Sequence, residues 1–224
     1  EKHLKVGKKH KEVDFQTLSP IIKERNREDV ELMAQLEEKF QLIPYYDEIR
    51  RLTRVGWEEL YHNSKPIEML MLSQANKMRL VLPNKKSNVE RQDFEGADRG
   101  TSGTGVFRNI GKYDLSGAYP AAIVNFCLDI ANLSNESDPD AISIDNIWFK
   151  QNPNTLIPLV TKQMVTLKDN IAQTKKKTPK DSPEFGVVSK QYDGIKGVVN
   201  STFGILGLPY FRLYNHSVVS SITF

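Results

Sequence analysis

The stretch Lys112 to Ala121, KYDLSGAYPA, places an acid, a run of small residues and an aromatic within one short segment. A strand entering it from the amino side would leave Asp114 at the strand's carboxyl end, where a carboxylate can hold a metal ion. Ser116, Gly117 and Ala118 would then leave backbone N–H groups free at the start of a helix, a ready anion site. Tyr119 follows on the first turn. An acid for a metal, amides for phosphate and a ring for a sugar are what nucleotidyl transfer needs in one place. A plainer alternative makes Asp114 and Ser116 capping residues of a strand-to-helix turn.

A second stretch, KGVVNSTFG at residues 196–204, carries a different set of groups. Lys196, Asn200 and Phe203 are spaced i, i+4, i+7, which at about 100° per residue puts them on one helix face. Phe185, Val188, Tyr192, Ile195 and Val199 form a neighbouring apolar stripe, the expected packing side. A lysine on the polar face suits a triphosphate as a point charge. The alternative is a solvated lysine, with Asn200 and Ser201 ending the helix at Gly204.

Together the two stretches resemble motifs A and B of family B DNA polymerases. Motif A of that family reads D-x-x-S-L-Y-P-S; here it stands as Asp114, Leu115, Ser116, Gly117, Ala118, Tyr119, Pro120, Ala121. Motif B reads K-x-x-x-N-S-x-Y-G; here it is Lys196, Asn200, Ser201, Phe203, Gly204. The continuation after Gly204, ILGLPYFRLYNHSVVSSITF, looks like the tailed-phage branch. More loosely, Phe94 and Gly96 resemble the family's Y-x-G-G/A motif near the template strand, and Asp29 resembles the carboxylate of its third exonuclease motif, with Arg25 where the family has Tyr.

The resemblance implies template-directed addition of a dNTP to a primer 3′-hydroxyl, with two Mg2+ ions. Asp114 would bind both ions and the Leu115 carbonyl one of them. The amides of Ser116, Gly117 and Ala118 would hold the triphosphate, with Lys196 and Asn200 reaching it from the other helix. Tyr119 would lie under the sugar and refuse a ribose by volume. Phe203 keeps the ring of the family's Tyr and loses its hydroxyl. Phe94, Gly96 and Gly204 would approach DNA. The family carries an arginine and, four residues on, a lysine on its outgoing fingers helix. Lys168 takes the first place and Ala172 the second, unless the pattern slips a turn toward Lys175 or Lys176.

The family's second metal-binding aspartate lies in motif C, D-T-D, and no D-T-D follows Gly204 in this sequence. The isolated chain is therefore expected to be inactive, and its partners to be primer-template DNA, dNTP and a downstream chain or segment carrying motif C and the thumb. The rival reading is a non-catalytic DNA-binding or assembly fragment of a split or decayed polymerase. Proofreading is not expected of this chain alone.

The elements that must position these residues follow from pattern and punctuation. The implied fold is α+β, a partial right-hand polymerase with part of an antiparallel palm sheet, a helical fingers hairpin and a helical N-terminal region. Residues 1–44 read as the end of an exonuclease-like region. Within it Ser19 and Pro20 start a helix, Asn26 caps a second one, and Leu42 to Pro44 end it. Residues 45–84 read as a helical linker with Trp57 in the core, and 85–154 as palm with motif A. Gly96, Gly100, Gly103 and Gly105 mark a loop there, and a short strand is expected near 142–149. Residues 155–204 read as the fingers hairpin. Its outgoing helix begins at Pro158 and ends in the lysine run 175–177, and its return helix begins near Glu184. Residues 205–224 return to the palm.

Bulk composition is less specific. The 224 residues hold 31 Lys and Arg against 28 Asp and Glu, a net charge of +3. Charge is local instead: residues 1–11 hold five lysines and residues 175–180 four. Such clusters are the usual footprint of phosphate binding and also of solvated faces. The single cysteine, Cys127, excludes an internal disulfide and reads as buried packing. No apolar run reaches membrane-spanning length, so a soluble, cytoplasmic protein is expected, with no membrane partner.

Overall fold

The computed structural model describes residues 20–62, 64–85, 87, 90, 92–93, 96, 100–101, 103–115 and 117–224. Ser116 and Phe94 lie outside the described residues. The chain divides into two units, Glu1–Asp47 and Glu48–Phe224.

In the first unit, helix α1 spans Pro20–Phe40 without a break and has no buried residue. The cap expected at Asn26 therefore does not form. Asp29 is half-buried in the middle of α1, too far from its start to feel the helix end. The break comes at Gln41, which takes a left-handed φ of 50°. Glu37 then folds its carboxylate over the next helix: Leu42 N–H donates to it at 2.9 Å, and Ile43 N–H at 3.1 and 3.2 Å. Pro44 thus stands in the first turn of α2 (Leu42–Thr53), where its missing N–H costs nothing, and does not end α1.

The second unit is mainly helical. A 3₁₀ turn at Glu58–Tyr61 leads into α3 (Ser64–Lys77). Trp57 is not core: it is 51% exposed, with the Arg50 guanidinium 5.4 Å from its ring centroid. Helix α4 spans Ala118–Asn125, and a second 3₁₀ turn spans Ile130–Asn132. Strands β1 (Leu133–Ser134), β2 (Ala141–Ile144) and β3 (Ile147–Lys150) make an antiparallel sheet in the order β1-β3-β2. The β2–β3 turn is two residues, Asp145 and Asn146, both at positive φ, the twist that a two-residue hairpin requires. One strand was expected near 142–149; the Asp-Asn turn divides it in two.

Helices α5 (Leu156–Lys177) and α6 (Pro183–Leu206) pack as an antiparallel hairpin, and α7 (His216–Thr223) follows. The α5 start falls two residues before Pro158. Ser182 caps α6, its hydroxyl accepting from Phe185 N–H. Because α6 continues to Leu206, Asn200 and Ser201 are interior helix positions and not a terminal cap. The core lies where α3, α4 and α7 meet the hairpin. Ile67 and Met71, Ile123, Ile157 and Val160, Ile195 and Leu206, and Val218 are all buried there.

One expectation fails at the first motif. Residues 110–115 form no strand: Tyr113 is 96% and Leu115 82% exposed. A strand needs a neighbour to take up its backbone groups, and none pairs here among the described residues. Described residues between 85 and 109 are irregular, as their glycines suggest. Among the described residues no helix is long and apolar enough to cross a membrane.

Candidate functional site

The site is built around the short helix α4. Its N-cap, Gly117, has φ +71°, a left-handed value that a side chain would strain. Among the described residues no side chain is seen capping this end, and Ala121 N–H donates to the Gly117 carbonyl at 2.9 Å. Pro120 brings no N–H. The helix therefore offers the Ala118 and Tyr119 amides at its start, beside an exposed Ala118. Asp114 and Leu115 precede it as exposed residues.

Tyr119 reaches α6. Its ring stacks on Phe203 with centroids 4.3 Å apart and planes 29° from parallel. The two motifs thus meet through their aromatic residues. On α6, Lys196, Asn200 and Gly204 are exposed, while Ile195, Val198, Val199 and Thr202 are buried. The expected division into a packing side and a polar face is present.

Lys168 belongs to another side of α4. It lines a cleft of about 440 Å³ with Gly117, Pro120, Ala121, Val124 and Lys162. Counting about 100° per residue, Pro120, Ala121 and Val124 fall on the half of α4 opposite Tyr119. The Lys168 ammonium lies 3.4 Å from the Asp169 carboxylate. Gly117, at the helix start, borders the cleft and carries the free end of α4. Ala172 brings no cation, and Lys175, three residues on, faces α6. Its ammonium sits 4.9 Å from the Tyr192 ring centroid and 5.9 Å from that of Phe185, with Asp193 at 4.0 Å, so it clamps α5 to α6.

Two polar clusters escaped the sequence reading. Asp129 is 4% exposed and joins the segment after α4 to the start of α5. Its carboxylate accepts from Ile157 N–H at 2.7 Å and from Ala131 N–H at 2.9 Å. Burial pushes its pKa up, against the opposing pull of these hydrogen bonds. Asn132, buried beside it, donates to the Cys127 carbonyl at 2.7 Å and to Asn152 and Thr155 at 3.0 Å. The sequence signal was Asp129 and Asn132 inside the apolar run AAIVNFCLDIANL, where burial obliges polar groups to find partners.

The second cluster is centred on Glu68, 2% exposed on α3. Arg212 donates to it through two nitrogens at 2.7 and 2.9 Å, and Lys85 lies 2.7 Å away. Arg212 also donates to the Pro83 carbonyl at 2.7 Å. Burial raises the Glu68 pKa, but Lys85 and Arg212 outweigh it and the net shift is downward. Nothing in the spacing of Glu68 and Arg212 announces this contact. Cys127 is buried as expected, and burial raises its thiol pKa.

No protein-family model matches the chain. Its sequence is similar to DNA polymerase 2 of Aeropyrum pernix, 22% identical, over 91% of this chain and 26% of that protein. It is similar also to the DNA polymerase of Archaeoglobus fulgidus, 20% identical over 82% of the chain and 23% of the relative. The DNA polymerase delta catalytic subunit of Candida albicans is 23% identical over 87% of the chain and 20% of the relative. The fold matches part of the family B DNA polymerase from Pyrobaculum calidifontis, with a TM-score of 0.72 and 23% identity over 92% of this chain and 28% of that one. In sequence and fold the chain resembles family B DNA polymerases, and it spans about a quarter of the length of these relatives.

Proposed function

We propose that this chain is a part of a family B DNA polymerase that handles the incoming nucleotide during template-directed DNA synthesis. The observation that carries the reading is the Tyr119–Phe203 stack, which joins the two motifs far apart in sequence. Similarity to polymerases over most of the chain supports it. In this reading the amides at the start of α4, with Ser116, Gly117 and Ala118, face a triphosphate. Lys196 and Asn200 approach it from α6, and Tyr119 and Phe203 bound the sugar and the base pair. Lys168 reaches the same helix start from the cleft side. Phe94, Gly96 and Gly204 are assigned to DNA, and Asp29 marks the end of an exonuclease-like region. The segments 1–44, 45–84, 85–154, 155–204 and 205–224 are proposed as that region, the linker, the palm, the fingers and the return to the palm.

The family resemblance implies a pair of magnesium ions. The residues described do not fit such a pair. Asp114 is exposed, and no three His, Cys, Asp or Glu side chains converge among the described residues. A second acid has to come from elsewhere, so the site is proposed as half of one. Primer extension tests the reading: primed template, dNTPs and magnesium, with the chain alone and with the segment encoded beside it. Extension in the mixture alone supports a shared site. DNA binding without extension in either favours the non-catalytic alternative, to which the missing cation at Ala172 also points.

A further inference from the structure

Tyr119 is half-buried on the first turn of its helix. α4 is 8 residues long and starts at a left-handed glycine, and the described residues up to Leu115 are irregular and exposed. Free helices this short are marginal in water, so the direction of a ring on the first turn depends on what it touches. The ring contact in the structure is Phe203, 4.3 Å away and 29° from parallel, near the offset-stacked geometry aromatic pairs favour. Phe203 stands on α6, a 24-residue helix whose adjoining residues Val199, Thr202 and Leu206 are buried. Both helices pack in the core, but Tyr119 stands at the free end of the short one and Phe203 within the long one. Phe203 has no hydroxyl, so the support it gives to Tyr119 is ring contact alone.

We infer that Phe203 is a positioning residue for Tyr119 and thereby sets how strictly the site refuses a ribose. This rests on the nucleotide reading of the site. A sugar gate works by volume only if the ring stays where the 2′-hydroxyl would go. A Tyr119 free to swing would pass ribonucleotides without any change to itself. The class discriminated is the 2′-deoxy against the 2′-hydroxy nucleoside triphosphate.

The test is single-nucleotide addition by the chain together with its completing segment, comparing kcat/KM for dCTP with that for CTP. Phe203→Leu, which keeps an apolar side chain, should lower the ratio about five- to tenfold, the scale of one ring–ring contact. Phe203→Tyr should restore it to within about twofold. Phe203→Leu added to Tyr119→Ala should lower the ratio no further, since the two act as a unit. In aromatic NMR spectra of the chain, Phe203→Leu should remove the ring-current shift on the Tyr119 protons. A ratio left at its original value by Phe203→Leu, with only the overall rate reduced, overturns the inference and leaves the polymerase reading standing. Additive losses in the double variant overturn it as well. No incorporation by the unsubstituted assembly sinks the polymerase reading and this inference together.

Discussion

Asp114 and Asp129 stand on either side of α4 and differ in almost everything but chemistry. Asp114 is exposed on an irregular segment, and Asp129 is 4% exposed, with its oxygens accepting from the Ile157 and Ala131 amides. A carboxylate whose lone pairs are spent on backbone donors at a helix start is an anchor. A carboxylate left in solvent beside a phosphate-competent helix start is open to a ligand. Glu68 adds a third case: as deeply buried as Asp129, but matched by the Arg212 and Lys85 charges. The same group is thus left open to solvent, anchors backbone or joins an ion-pair hub according to what surrounds it.

The largest effect should separate Asp114 from the other two. Asp114→Asn is expected to lower incorporation by the completed assembly about a thousandfold or more. It should change the unfolding free energy of the chain by less than about 0.5 kcal/mol. Normal incorporation by this variant would remove Asp114 from the site. Next comes Glu68→Gln, which leaves Arg212 and Lys85 facing a neutral amide and should cost about 2–4 kcal/mol in denaturant unfolding.

Asp129→Asn keeps one acceptor and should cost about 1 kcal/mol. Its sharper test is the pH dependence, because the two buried carboxylates shift in opposite directions. Glu68 has a folded-state pKa below its ordinary 4.5, so its contribution is present above that value and lost as pH falls through the folded one. The cost of Glu68→Gln should be larger at neutral pH than in acid. Asp129 is raised above 3.8, so its contribution is full below that value and shrinks as pH rises through the folded one. The cost of Asp129→Asn should be larger in acid. Parallel pH profiles for the two variants would erase the distinction between anchor and hub. The smallest effect is expected at the hairpin's far end. Lys175→Met, which removes the cation from the Tyr192 ring, should cost about 0.5–1 kcal/mol by thermal unfolding.

Much of the helical hairpin was legible in advance. The lysine run closes α5 at Lys177, and the return helix expected from about Glu184 begins one residue earlier at Pro183, because charge runs and prolines act within a few residues. The polar face of α6 was legible for the same reason: Lys196 and Asn200 are set apart from Ile195 and Val199 by helical spacing alone. The strand before Asp114 was not, since a strand's existence depends on a neighbour that spacing cannot supply. Nor was the exposure of Trp57, whose ring packs under Arg50 and not in the core.

By itself, then, the sequence determined which residues share a helix face, where the hairpin helices end and which groups are chemically fit for phosphate, sugar and metal. These follow from interactions a few residues long. Only the tertiary structure decided that Tyr119 meets Phe203, that Lys168 lies across α4 from that pair, that Lys175 is engaged with Tyr192, and that Asp129 and Glu68 are buried while Asp114 is not. Those outcomes depend on contacts between distant segments, where burial and the partners it brings set what a charged or aromatic group can do.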